Sequence, residues 1–295
     1  MPTSNQSAKA HVLAERAARC LNQRATAWRP VSGGYSSAIR IIVTYGDGKT
    51  VFVKGAANRL TADWLRIEYG IYSRLQAPFL PVMHAWEDDG SSPFLVLEDL
   101  SGAVWQPPWT AARIAQLLDA MHQVAATTPP AFLPGLQEKW SALPGWTQVM
   151  EEPAPFLRLG LCSADWSAKN IPVLVSAEAD ADLAGKDLVH GDIRSDNLCF
   201  AGDTVKIVDW NWACRGNGAF DLAAWLPSLH LEGGPLPDSI LPGHAQLAAR
   251  VSGYFAAVAG LPAEQASAKI RAIQLAQLRV AMPWAARTLG LAPPV

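Results

Sequence analysis

Val189-His190-Gly191-Asp192-Ile193-Arg194-Ser195-Asp196-Asn197-Leu198 places a histidine, two aspartates and an asparagine in one short loop between apolar residues. Seventeen residues after Asp192, Asp209 closes the apolar run Val205-Lys206-Ile207-Val208. Phosphoryl transfer from a metal-bound nucleotide needs a carboxylate that orients the acceptor hydroxyl and hard oxygen ligands near the phosphates. Asp192 suits the first task, and Asn197 and Asp209 suit the second. His-Gly-Asp with Asn five positions after the Asp fixes four identities, a coincidence expected roughly once in 10^5 positions.

Outward from that loop, this set of residues resembles the aminoglycoside phosphotransferase and choline kinase-like family. The resemblance is carried by His190-Gly191-Asp192 with Asn197, Ile207-Val208-Asp209-Trp210, Gly216-Asn217 and Asp221-Leu222-Ala223. It implies a bilobal, protein kinase-like α+β fold and phosphorylation of a small-molecule hydroxyl with ATP or GTP and Mg2+. The implied N-lobe is a five-stranded antiparallel sheet plus a helix, over residues 1–100 with a hinge at 95–100. The implied C-lobe, 101–295, is larger, mainly helical, and carries the catalytic loop and the acceptor cleft. Gly191 stands where protein kinases have Arg, which argues against a protein kinase. No activation segment fits between Asp209 and Asp221.

The same resemblance assigns roles one residue at a time. Ser32-Gly33-Gly34-Tyr35-Ser36-Ser37, between two expected strands, becomes the loop over the phosphates; a plain turn is the alternative. Lys54 becomes the α- and β-phosphate ligand, with a solvated strand-end lysine as the alternative. Glu68 becomes its helix partner, against a solvated helix-face glutamate. In Phe94–Leu100, the carbonyl of Glu98 and the amide of Leu100 become the nucleobase contacts, with a simple buried strand ending in acidic residues as the alternative. Apart from the resemblance, Arg194, two residues after Asp192, could neutralise charge on the transferred group; a loop arginine held by Asp221 or Asp196 is the alternative. His190 and Asp221 become supports for the catalytic loop, and His122 a structural histidine.

Periodicity supplies the elements independently. Apolar spacing of three to four predicts helices over 8–23, 61–76 (capped by Thr61), 111–124, 241–259 and 263–289, the last kinked or ended by Pro283. Period-two runs predict strands over 28–31, 38–45, 50–54, 83–87 and 94–98, with Gly46-Asp47-Gly48 as a hairpin turn. Leu198–Phe200 and Val205–Val208 read as a second hairpin around Ala201-Gly202-Asp203. Residues 131–187 show no assignable period.

Composition bounds the function. The chain has 24 Lys and Arg, 26 Asp and Glu, 17% charged and 50% hydrophobic residues. That balance excludes disorder and gives no reason to expect a nucleic-acid partner. No apolar run is long enough to span a membrane, and no signal-peptide core or C-x-x-C pair occurs. A cytoplasmic protein with four buried thiols and no obligate protein partner is expected. From 223 to 295 the acids are Glu232, Asp238 and Glu264 against Arg250, Lys269, Arg271, Arg279 and Arg287. A polycationic acceptor wants converging carboxylates, although residues 131–187 hold eight acids against four bases that could provide them. Trp140, Trp146, Trp212, Trp225 and Trp284 could offer flat faces to an acceptor, or simply fill the core. A neutral or weakly charged hydroxylated metabolite or antibiotic is therefore expected. A genuine aminoglycoside resistance kinase and a catalytically silent nucleotide-binding module are the alternatives.

Overall fold

The computed structural model describes residues 4–32, 34, 36–106, 108–262 and 267–294. The chain divides into two compact units, Met1–Pro107 with Asp196–Ala213, and Pro108–Ser195 with Cys214–Val295.

In the first unit, helix α1 (Ser4–Cys20) precedes strands β1 (Ala25–Pro30), β2 (Ile39–Tyr45) and β3 (Thr50–Gly55). Helix α2 (Arg59–Tyr72) and strands β4 (Met83–Glu87) and β5 (Phe94–Glu98) complete a five-stranded antiparallel sheet ordered β1-β2-β3-β5-β4. A second sheet joins β6 (Val104–Trp105), β8 (Leu198–Ala201) and β9 (Thr204–Ile207). The pleat gives the large sheet two different faces. Ile41, Val43, Val51, Val53 and Val96 pack against Ala10, Leu13, Ala14 and Ala17 of α1. Their neighbours Arg40, Ile42, Phe52, Lys54 and Leu97 line a cavity instead. Arg16 fastens α1 to the sheet by bonding Glu87 Oε1 (2.7 Å) and the Ser92 carbonyl (2.9 Å).

The second unit is mainly helical. Helices α3 (Ala111–Ala126), α4 (Leu136–Ser141), α5 (Trp146–Glu151), α6 (Ala154–Leu157) and α7 (Ala164–Ala179) lead to β7 (Asp187–Val189). Strand β10 (Cys214–Gly216) pairs antiparallel with β7. Helices α8 (Ala219–Leu231), α9 (Pro237–Ile240), α10 (Ala245–Ala259) and α11 (Ala268–Thr288) follow. Glu178 of α7 accepts hydrogen bonds from the Trp146 amide (2.7 Å) and from Arg250 (2.8 Å), so a buried ion pair ties α5, α7 and α10 together.

Several expectations change. Asn58, not Thr61, caps α2: its side chain accepts from the Thr61 amide while Thr61 bonds back, a capping box. The first helix spans 4–20 rather than 8–23. Helix α11 continues through Pro283 to Thr288. Only Cys199 and Cys214 are buried; Cys162 is half-buried and Cys20 exposed. Trp140, Trp146, Trp225 and Trp284 are core residues, which leaves Trp212, half-buried, as the remaining candidate among the five. None of the described helices is long and apolar enough to cross a membrane.

Candidate active site

Lys54 occupies the cavity face near the end of β3, and α2 brings Glu68 beneath it. Lys54 Nζ lies 2.5 Å from Glu68 Oε1 and 2.6 Å from Asp209 Oδ1. Lys54 and Glu68 are buried; Asp209 is more open. Burial pushes the Lys54 ammonium down, but the two carboxylates outweigh it and hold it above its ordinary value. Burial raises the Glu68 carboxyl, against the pull of Lys54. Other acids near α2 have different partners: Glu87 takes Arg16, and Asp63 takes Arg66.

Asp209 has a left-handed backbone, φ 69° and ψ 53°, uncommon for a residue with a Cβ. That conformation turns the chain out of β9 into a 3₁₀ turn at Trp210–Trp212. Trp210 anchors the turn, buried against Phe79 at 5.7 Å and donating to the Ile207 carbonyl. The Val208 amide bonds the Asn197 carbonyl at 2.8 Å, pinning the two expected metal ligands to adjacent backbone.

Both line the same cavity of about 410 Å³, within the range of small-molecule sites. Ser32, Gly34, Lys54, Glu68, Glu98, Leu100, Asp196, Asn197 and Asp209 all lie on its wall. Ser36 and Ser37 are not on it: Ser36 accepts from Arg40 at 2.7 Å and Ser37 from Asn58 at 3.0 Å. Gly33 and Tyr35 lie outside the described residues. Leu100 presents a carbonyl already bonded by the Trp105 indole (2.9 Å) and the Ala103 amide (3.0 Å). The Glu98 side chain accepts from the Val82 amide. Arg40 and Trp105, both cavity residues, escaped the sequence reading. Arg40 had a signal, since it faces Lys54 across the β2–β3 register.

A divalent cation suits this donor set. Among the described residues no group of three or more His, Cys, Asp or Glu side chains could hold a metal alone. Mg2+ ordinarily takes one or two carboxylates and completes its shell with phosphate oxygens and water. One carboxylate (Asp209) and one amide oxygen (Asn197), both hard donors, fit that pattern.

The second unit carries Asp192. Gly191 has φ +80°, a conformation glycine reaches without strain, and this explains the glycine between His190 and Asp192. Asp221, in the first turn of α8, accepts the His190 amide at 2.7 Å and the Gly191 amide at 2.8 Å. Its carboxyl is pushed up to about 7, by burial first and by the Asp192 charge as well, against those two N–H donors. Fully buried His190 accepts the Asp192 amide on Nδ1 at 3.2 Å. Arg194 Nη2 lies 3.4 Å from Asp192 Oδ2. Ser195 donates to Glu232 at 2.5 Å, and Trp109 donates to the same oxygen at 2.7 Å, a support that no motif announced.

An N-terminal antiparallel sheet with a Lys–Glu pair, followed by a helical unit bearing His-Gly-Asp, defines a protein kinase-like phosphotransferase. The chain belongs to the phosphotransferase enzyme family, whose model matches residues 27–241, and it is a small-molecule kinase. Solved structures share the fold at low identity. The macrolide 2'-phosphotransferase MphH from Brachybacterium faecium is 15% identical with a TM-score of 0.52, covering 91% of this chain and 97% of that one. Choline kinase from Cryptosporidium parvum is 9% identical with a TM-score of 0.52, over 90% and 88% of the two chains. The aminoglycoside phosphotransferase APH(3'')-Id from Streptomyces rimosus is 18% identical with a TM-score of 0.50, over 92% and 97%. No curated protein matches the sequence.

Proposed function

We propose that the protein transfers the γ-phosphate of ATP, with Mg2+, to a hydroxyl of a small molecule. The observation that carries this reading is Lys54 held between Glu68 and Asp209 on the wall of a cavity that also includes Asn197.

Asp192 accepts the proton of the attacking hydroxyl and orients its oxygen. Arg194 lowers the charge developing on the transferred group. Lys54 binds the α- and β-phosphates, and Glu68 keeps its ammonium charged and aimed. Asn197 and Asp209 hold the divalent cation, which when bound neutralises phosphate charge. Ser32 and Gly34 cover the phosphates, with Gly33, Tyr35, Ser36 and Ser37 completing the loop, and Glu98 and Leu100 contact the base. His190 and Asp221 fix the loop that presents Asp192. The acceptor is neutral or weakly charged rather than polycationic, a reading supported by the excess of bases over acids in residues 223–295.

The test is a pair of variants assayed for acceptor-dependent ADP release and for Mg-nucleotide binding. Asp192→Ala lowers turnover about 10^2- to 10^4-fold and leaves nucleotide binding nearly intact. Asp209→Ala weakens Mg-nucleotide binding as well. Unchanged turnover in Asp192→Ala would sink the mechanism.

A further inference from the structure

After β5, the backbone on the cavity wall leaves two polar groups open and fills a third. Glu98 closes β5, Leu100 follows two residues later, and both line the cavity together with Trp105. Facing residues of an antiparallel pair ordinarily exchange two hydrogen bonds. Here the Glu98 amide donates to the Val82 carbonyl at 2.8 Å, but the Val82 amide goes to Glu98 Oε2 at 3.1 Å, which leaves the Glu98 carbonyl without its return donor. Leu100 is 8% exposed, and among the described residues its amide donates to no acceptor. A buried N–H that makes no bond is costly, and an acceptor on a ligand relieves that cost.

The Leu100 carbonyl is in the opposite condition. It accepts the Trp105 indole Nε1–H at 2.9 Å and the Ala103 amide at 3.0 Å. A carbonyl oxygen has two lone pairs, so both are engaged. Trp105 is held in place by the pairing of β6 with β8, where it lies opposite Cys199. The neighbouring acidic side chains are engaged as well: Lys206 Nζ is 3.5 Å from Glu98 Oε2, and Asp99 Oδ1 accepts the Ser101 amide at 2.8 Å.

Along the chain the wall therefore offers an acceptor, a donor, and an acceptor already filled. Adenine matches the first two with its N6 amino donor and its bare N1. Guanine inverts both, with an oxygen at O6 and a hydrogen on N1. Its N1–H and N2 amino group need an acceptor beside the Leu100 amide, and the carbonyl in that place is full. We propose that Trp105 is a specificity-determining residue: by filling the Leu100 carbonyl it makes the site take adenine nucleotides and reject guanine nucleotides. This assignment rests on the reading of Glu98 and Leu100 as the nucleobase contacts, and it names the side chain that sets the choice. Rejection comes from guanine donors left unpaired, the kind of mismatch that hydrogen-bonding sites discriminate most strongly.

The test measures calorimetric binding of ATP, GTP and 2-amino-ATP to the full chain with Mg2+. The last of these keeps the adenine edge and adds an amino group aimed at the Leu100 carbonyl. The expected result is ATP bound roughly 100-fold more tightly than GTP, with 2-amino-ATP no tighter than ATP. Trp105→Phe and Trp105→Leu each remove the indole N–H and release one lone pair; Trp105 is 37% exposed, so either replacement folds. In both variants 2-amino-ATP gains about tenfold over ATP, and the GTP-to-ATP affinity ratio rises by a similar factor. No binding of any of the three nucleotides removes the kinase reading and the proposal with it. GTP bound as tightly as ATP overturns the proposal alone. So does 2-amino-ATP binding the parent about tenfold more tightly than ATP, or an unchanged ratio in the two variants.

Discussion

Lys54 illustrates how much one side chain carries. Its ammonium is 6% exposed as a residue and neutralises two carboxylates, one of them, Glu68, 1% exposed. Replacing Lys54 by Met keeps the volume and leaves Glu68 buried beside Asp209 with no counter-charge. Removing one member of a buried pair costs about 3–5 kcal/mol, mostly the penalty of the charge left behind. Lys54→Met is therefore expected to lose about 3 kcal/mol in urea unfolding. Adding Glu68→Gln recovers at least about 1 kcal/mol of it, because the stranded charge is gone. Strictly additive losses would show that the two groups are not coupled. This pair was legible in the sequence through the resemblance, which places a lysine at the end of that strand and a glutamate in the following helix; a strand-end lysine alone reads as solvated. Glu232 was not legible: it takes Ser195 and Trp109 from just beyond the end of α8, and no spacing rule links the three.

At the scale of elements, legibility followed burial pattern. Strands β4 and β5 coincide with the expected 83–87 and 94–98, and β2 and β3 differ by a residue. Each alternates between the α1-facing side and the cavity side, or runs apolar in the sheet centre, which is the signal periodicity detects. Segment 131–187 gave none, because α4, α5 and α6 are six, six and four residues long. Helix α7 carries Pro172 inside it, a residue that ordinarily marks a helix end. The start of α2 was misplaced by three residues because Thr61 is a good cap by type; Asn58 wins, with both halves of the box in place. Asn58 also donates to Ser37 at 3.0 Å, linking the helix start to the loop before β2. Asn58→Ala is expected to cost about 1 kcal/mol in urea unfolding. Asn58→Asp keeps the acceptor oxygen and stays within about 0.5 kcal/mol of the parent. Equal losses in both variants would place the stabilisation in the Ser37 contact instead.

For the whole molecule, a chain with 17% charged residues sets its pH response through a few buried acids. Asp221 is the clearest, raised from 3.8 to about 7 by burial, and burial also raises Glu68 and Glu178. The exposed Asp47, Asp88 and Asp89 move the opposite way, lowered chiefly by hydrogen bonds from Lys49, Arg66 and Ser92. Solvent and salt screen those surface groups, and they titrate below the window that matters here. Between about pH 4 and pH 7 the folded Asp221 holds a proton that the unfolded chain has released. Folded protein then binds more protons than unfolded, so the unfolding free energy falls as pH rises through that window and levels above it. Activity runs the other way. Ionised Asp221 accepts both the His190 and Gly191 amides, whereas a protonated carboxyl holds them less strongly, so the loop bearing Asp192 is best fixed above pH 7. Urea unfolding at constant ionic strength is expected to show the parent more stable at pH 5.0 than at pH 7.5, by about 2 kcal/mol. Turnover rises over the same interval. In Asp221→Asn the stability slope flattens, since an amide has no proton to exchange, and turnover is low throughout because one of the two amides loses its acceptor. Parallel stability slopes in parent and variant would mean that another group titrates there and that Asp221 is ionised across the whole range.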